Sequence, residues 1–229
     1  DDGDGFSDAE EVAYGSDPRN NQSVANQSPS FAEANATLAM AENNASSFFV
    51  IAGDPDGNAT LSYSLSGTDA SSFSINSSTG VITFNSAPDY ETKTSYSVTV
   101  NVSDGTNTTE QAVTVNITNV NEFSPVISSA ASFSAEENQS SAVGTVSATD
   151  GDTSETLSYS LTGTDASSFG ISSSGVITFN SAPDYETKTS YSITVNVSDG
   201  TNTTEQAVTV NITNVNEFSP VISSAASFS

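Results

Sequence analysis

The sequence predicts an all-β chain built from two tandem seven-strand β-sandwiches with Greek-key connections. Three observations predict it. The first is a near-verbatim internal repeat: VITFNSAPDYETKTSYS begins at Val81 and again at Val176, an offset of 95 residues. SDGTNTTEQAVTVNITNVNEFSP follows the same spacing from Ser103 and Ser198. A period of that length exceeds the roughly 20–50 residues of solenoid repeats and marks whole domains. The second is strict alternation, with Tyr96, Val98, Val100 and Val102 apolar between Ser97, Thr99, Asn101 and Ser103. Period two with one polar face predicts half-buried antiparallel strands. The third is the supply of short runs such as 48–52, 61–65 and 81–84 between Gly, Asn, Asp and Ser clusters. About seven such strands per repeat, with no helical period, read as a sandwich.

Composition narrows the partners. The 229 residues hold 28 Asp and Glu against 3 Lys and Arg, with no His, for a formal charge of −25. A chain of that sign is unsuited to phosphate backbones, so no nucleic-acid partner is expected. The 12 Phe and 7 Tyr, set in regular alternation, distinguish it from a disordered acidic tail. Self-repulsion of this size calls for divalent cations. Without Cys there are no disulfides to brace small domains, which again leaves metal or a larger core. No apolar run approaches the ~20 residues of a membrane span, so no membrane insertion is expected in these residues, and no signal peptide opens them.

In chain order, DDGDGFSDAEE places alternating carboxylates before a Gly and closes on a Glu six residues later. With Gly5 at the turn, Asp2, Asp4, Asp8 and Glu11 fall at calcium-loop positions three, five, nine and twelve, and Phe6 offers its carbonyl at seven. This EF-hand-like loop, with YGSDP after it, resembles the thrombospondin type 3-like repeats of secreted bacterial proteins. Residues 1–23 are read as that loop and a linker, 24–122 as the first sandwich, 123–217 as the second, and 218–229 as the start of a third.

Within each sandwich, GTDASSF at Gly67 and Gly163 predicts a tight turn or one helical turn. Phe31, Leu38, Phe49, Tyr63, Leu65, Phe73, Ile75, Ile82 and Phe84 are expected to fill the first core with the alternating valines.

The acids fall in loops rather than on strand faces. Loops of a sandwich cluster at its two ends, which brings Glu42, Asp89 and Glu91 to the end where the first repeat exits through NVNEFSP. Asp150, Asp152 and Asp199 belong to the entry end of the second, and Glu122 lies in the linker. Seven such carboxylates would repel one another unless cations neutralise them. Calcium suits them, because it takes 6–8 oxygen ligands and shares carboxylates, whereas zinc prefers His or Cys.

The EN pairs (Glu42-Asn43, Glu137-Asn138), the DxD turns, the DAxxFxI stretch, the DYE triplets, the SDG turns and the linker, taken together, resemble cadherin-type tandem repeats of bacterial surface proteins. The resemblance implies calcium at each junction, with Asn119, Val120 and Asn121 adding amide or backbone oxygens. It implies the same roles for Asp54, Asp56 and Asp104 at the entry of the first repeat. Glu137, Asp184, Glu186, Asn214, Asn216 and Glu217 would serve at the exit of the second. The linker departs from the family pattern: Asn119 and Glu122 stand where Asp is usual, and Phe123 where Asn is usual. The expected function is a calcium-rigidified adhesive or spacer segment of an extracellular, bacterial surface or secreted protein, whose partners are other such repeats or a surface polysaccharide. The alternative is a polysaccharide-binding accessory module of a secreted enzyme. Catalysis by the chain itself is not expected, since it has no His, Cys or GxSxG.

Overall fold

The computed structural model describes residues 26–57, 59–152 and 155–221, with the isolated positions Ala9 and Val12. The predicted loop ligands Asp2, Asp4, Phe6, Asp8 and Glu11 lie outside the described residues. The chain divides into two compact units, Asp1–Val120 and Asn121–Ser229.

In the first unit the strands are β1 (Ser30–Phe31), β2 (Asn35–Ala41), β3 (Ser47–Phe49), β4 (Ala52–Gly53), β5 (Ser62–Ser66), β6 (Phe73–Ile75), β7 (Val81–Phe84), β8 (Ser95–Ser103) and β9 (Thr108–Thr118). They form a four-stranded sheet in the order β2-β9-β8-β5 and a three-stranded sheet β3-β7-β6. The opening strand is shared between the two faces, because its first piece, β1, pairs with β4 before β2 joins β9. Seven strands in two layers result, as the sequence predicts. One pairing differs: β2 runs parallel to β9. Alternation reports which face is buried but not the direction of the neighbour, so the antiparallel expectation fails there.

The long hairpin β8–β9 supplies the centre of the core, and its alternation is why. Val98, Val100, Val113 and Val115 are 0–2 % exposed, while the intervening Ser, Thr and Asn face outward. Each such valine contributes about 1.5–3 kcal/mol by leaving water. Phe73, Phe84 and Tyr96 complete it as edge-to-face and tilted rings 4.4–5.8 Å apart. The GTDASSF stretch forms a single 3₁₀ turn at Ala70–Ser72. Asp69 fixes that turn to β8 by accepting the N–H of Ser97 and the ammonium of Lys93. The hydrogen bond from Lys93, with that from the Ser97 N–H, holds the Asp69 carboxyl below the ordinary aspartate range, and the same ammonium sits 4.7 Å above the Tyr96 ring.

Phe49 is a correction. It is 65 % exposed, and Phe48 packs against the core in its place with Val50 beside it. The run SFFVI offers two phases of alternation, and pairing of Phe48 with Ile82 selects the one that points Phe49 outward.

The second unit repeats this plan. Its strands are β10 (Val126–Ile127), β11 (Ser132–Glu136), β12 (Ala142–Thr145), β13 (Ala148–Thr149), β14 (Ser158–Thr162), β15 (Phe169–Ile171), β16 (Val176–Phe179), β17 (Ser190–Ser198) and β18 (Thr203–Thr213). The sheets are β11-β18-β17-β14 and β12-β16-β15, again with a parallel β11–β18 pair. One extra residue is absorbed as an irregularity of β12 between Ala142 and Gly144. No helix among the described residues is long and apolar enough to cross a membrane.

Candidate metal sites at the repeat ends

Exit end of the first unit. Glu42 follows β2 and is only 2 % exposed. Its Oε1 accepts the N–H of Val120 at 2.7 Å, and its Oε2 accepts the N–H of Tyr90 at 2.6 Å. One buried carboxylate therefore ties the DYE loop to the departing chain. Asn43 next to it takes a left-handed backbone, φ 59°, which Asn tolerates better than most residues. That turn lets its N–H reach the carbonyl of Pro88. Asp89 caps its own loop, accepting the N–H and hydroxyl of Thr92 at 3.0 and 2.9 Å. Carboxylate oxygens of Glu42, Asp89 and Glu91 lie within 4.8 Å of one another. The Asn119 Oδ1 is buried and accepts no hydrogen bond.

The exit end of the second unit is built the same way. Glu137 is 1 % exposed and accepts the N–H groups of Val215 and Tyr185 at 2.7 and 2.8 Å. Oxygens of Glu137, Asp184 and Glu186 again fall within 4.8 Å, and the Asn214 amide donates to Glu186. The hydroxyl of Thr187 holds the Asp184 carboxyl below its ordinary range. Glu217 moves the other way: burial raises it, and the charges of Glu137 and Glu186 add to that. Asn216 is exposed in the same segment.

The entry end of the second unit gathers different loops. Asp152 is 5 % exposed; its Oδ2 accepts the N–H of Phe123 at 3.0 Å. Asp150 turns back to accept the N–H of Asp152. Asp199, in the β17–β18 turn, accepts the N–H groups of Thr201 and Asn202. Burial pushes the Asp199 carboxyl up, but those N–H groups outweigh it and leave it below the ordinary range. The Asn202 amide reaches the Asn121 side chain and the Phe123 carbonyl, at 3.3 and 2.9 Å. Glu122 is exposed in this linker.

At the entry end of the first unit, Asp54 accepts the N–H of Asp56, and Asp56 accepts that of Gln27. Asp104 is held below its ordinary range by the N–H groups of Asn107 and Thr106. The chain enters this end through Asn26 and Gln27, neither of them acidic, and Asn26 donates to Asp104.

The donor chemistry fits calcium. Every candidate offers oxygen, and Asp54 Oδ2, Asp150 Oδ2 and Asp152 Oδ1 are buried without any hydrogen-bond donor. Buried carboxylate oxygens are normally satisfied, so these orphans have room for a further partner, and a cation would fit them. Sequence reasoning located the acids but missed their organisers. Thr92, Asn107 and Asn202 shape the loops by donating to the neighbouring aspartates. The only signal for them was the repeated DYET and SDGTN strings.

Comparison with known proteins agrees with this geometry. The cadherin domain profile matches twice, over residues 36–118 and 131–213, and the bacterial TSP3 repeat profile matches residues 1–21. Human protocadherin Fat 4 is 36 % identical over 176 residues, covering 71 % of this chain and 4 % of that protein. Human protocadherin-23 is 30 % identical over 212 residues, covering 86 % of this chain and 6 % of that protein. The chain thus spans only a small fraction of the curated relatives it matches. Among solved structures, human protocadherin-24 EC1-2 superposes with a TM-score of 0.68 at 26 % identity, covering 83 % of this chain and 99 % of that one. The extracellular domain of protocadherin γB4 gives 0.70 at 26 %, covering 82 % and 33 %. The chain belongs to the cadherin domain family, carrying two such domains in tandem behind a segment that matches a bacterial TSP3 repeat.

Proposed function

We propose that the chain is a calcium-binding extracellular segment in which calcium held at the repeat ends stiffens the linkers, so that the repeats act as an adhesive or spacer rod. The observation that carries this reading is the buried Glu42–Val120 clamp and its twin, Glu137–Val215. Each fixes the first residues of a linker beside three carboxylates that repel one another until a cation joins them. Both families that the chain matches bind calcium generally. Asn119, Val120, Asn121 and Glu122 follow one another along the linker and would contribute oxygens to the same ions. A bacterial surface origin is part of this reading, in keeping with the TSP3 match. Contact with other cadherin repeats is the favoured mode of adhesion. No comparison supports the polysaccharide alternative, and the acids' placement in end loops favours ion binding over catalysis by this chain.

Calorimetric titration with calcium tests the proposal and counts the ions. Scattering in calcium and in EDTA tests the rod: chelation is expected to raise the radius of gyration while the β signal of each sandwich persists. Superimposable profiles would sink the stiffening role, and a titration without heat at any temperature tried would sink calcium binding itself.

A further inference from the structure

The two repeats are nearly identical in their second halves but differ in their first halves, and one surface there differs in kind. In the first repeat, edge strands β2 and β3 border a cleft of about 200 Å³. Ala32, Ala36, Leu38, Phe49 and Ile51 line it, with exposed Glu33 at its rim. Phe49 and Ile51 are 65 % and 66 % exposed, and Val81, paired across from Phe49, extends the apolar surface.

Strand register identifies the counterparts in the second repeat. Leu38 pairs with Val115 and Phe133 with Val210, so Phe133 takes the place of Leu38. Its ring lies over Gly144, which stands where the first repeat has Phe48, so closely that a β-carbon there would come within 2.3 Å; the ring thus takes room that Phe48 fills in the first repeat. Around it, Ser128, Thr145 and Ser147 replace Ala32, Phe49 and Ile51, and Ser129 replaces Glu33. One repeat is hydroxylated where the other presents an apolar cleft with an acidic rim. Contiguous apolar surface of this kind marks interaction sites on soluble domains.

Charge decides the occupant. The chain carries −25, and the two lysines in the described residues are already engaged, Lys93 by Asp69 and Lys188 by Asp165. A second copy would bring the same negative surface and no free lysine of these two. We propose that this cleft of the first repeat docks a segment of a partner protein that presents an apolar side chain with Lys or Arg beside it. The apolar group enters between Leu38, Phe49 and Ile51, and the cation meets Glu33.

The test is amide-shift titration of the full chain, in calcium, with the peptide acetyl-Lys-Ser-Phe-Ser-Lys-amide. Two controls replace its Phe with Ser or both Lys with Glu. Saturable shifts are expected at residues 32–38 and 49–51, none at the counterparts in the second repeat, and binding at least about tenfold weaker for each control, the loss expected when one apolar contact or one charge pair is removed. Phe49→Thr, Ile51→Ser, or the two together should abolish the shifts. Each introduces the residue that the second repeat carries at that position, and unchanged amide dispersion elsewhere checks the fold. Equal binding of the Glu peptide, shifts in both repeats, or no shifts with the Lys peptide would overturn the proposal. So would sedimentation showing self-association that Phe49→Thr abolishes, since the occupant would then be a second copy.

Discussion

The ring of Phe123 lies on the backbone of Gly151, and a β-carbon at that glycine would come within 2.6 Å of it. Gly151 sits between Asp150 and Asp152, so the linker residue that departs from the family pattern rests on the turn carrying two candidate ligands. In the first repeat the corresponding positions are Gln27, whose N–H reaches Asp56, and Pro55. The two linkers thus pair Phe with Gly and Gln with Pro.

Gly151→Pro should therefore destabilise the second repeat by about 1–3 kcal/mol, as overpacking does. Adding Phe123→Gln should recover much of that loss, because it restores the combination used by the first repeat. Denaturant titration of the four-member cycle checks the coupling. Strict additivity would mean that the two residues do not depend on each other.

Removing the Glu42 clamp leaves the N–H groups of Tyr90 and Val120 without their acceptor. Glu42→Ala should cost the first repeat roughly 2–4 kcal/mol even in EDTA, since buried donors lose a charged partner. Glu137→Ala should do the same to the second repeat alone. A loss seen only in calcium would assign these residues to metal binding and not to the fold.

Asn119 has a buried Oδ1 that accepts no hydrogen bond. Asn119→Asp puts a charge there and should tighten calcium binding by about tenfold at low salt, because ligand charge sets affinity in such sites. Calorimetry in low salt measures it. An unchanged dissociation constant would remove Asn119 from the ligand set.

Acid should unfold the chain through identifiable groups. Asp104, Asp184 and Asp199 are held below the ordinary aspartate value of about 3.9 by their hydrogen bonds. The stability they contribute is present above that value and lost as pH falls through it towards their depressed values. Glu217 has the opposite sign. Its carboxyl is raised, so its cost appears as pH rises through the ordinary glutamate range. In EDTA, Asp199→Asn should flatten the acid side of the profile of melting temperature against pH. Glu217→Gln should raise the melting temperature near neutrality, and calcium should erase that second difference.

The sandwich was legible because alternation is a direct record of burial: Val98 through Val102 point as their spacing requires. Phe49 was not legible, since adjacent phenylalanines satisfy either phase and only the pairing of β3 with β7 decides between them. The parallel union of β2 and β9 was hidden for a similar reason, as side-chain period carries no strand direction. At the repeat ends the acids were visible as charges. That Glu42 and Glu137 are buried and hold backbone N–H groups was not, because sequence shows a carboxylate without its neighbours. Thr92 and Asn202 were invisible as organisers because Thr and Asn are common everywhere in this chain.

The parallel pairing of opening and closing strands has a mechanical consequence. When a tandem chain is pulled from its ends, β2 and β9 are drawn in opposite directions along their length. Their hydrogen bonds then bear load together in shear and do not open one after another. The seven-residue β2 offers a longer such seam than the five-residue β11. Under tension the second repeat is therefore expected to yield first, and a force–extension trace with the reverse order would contradict this.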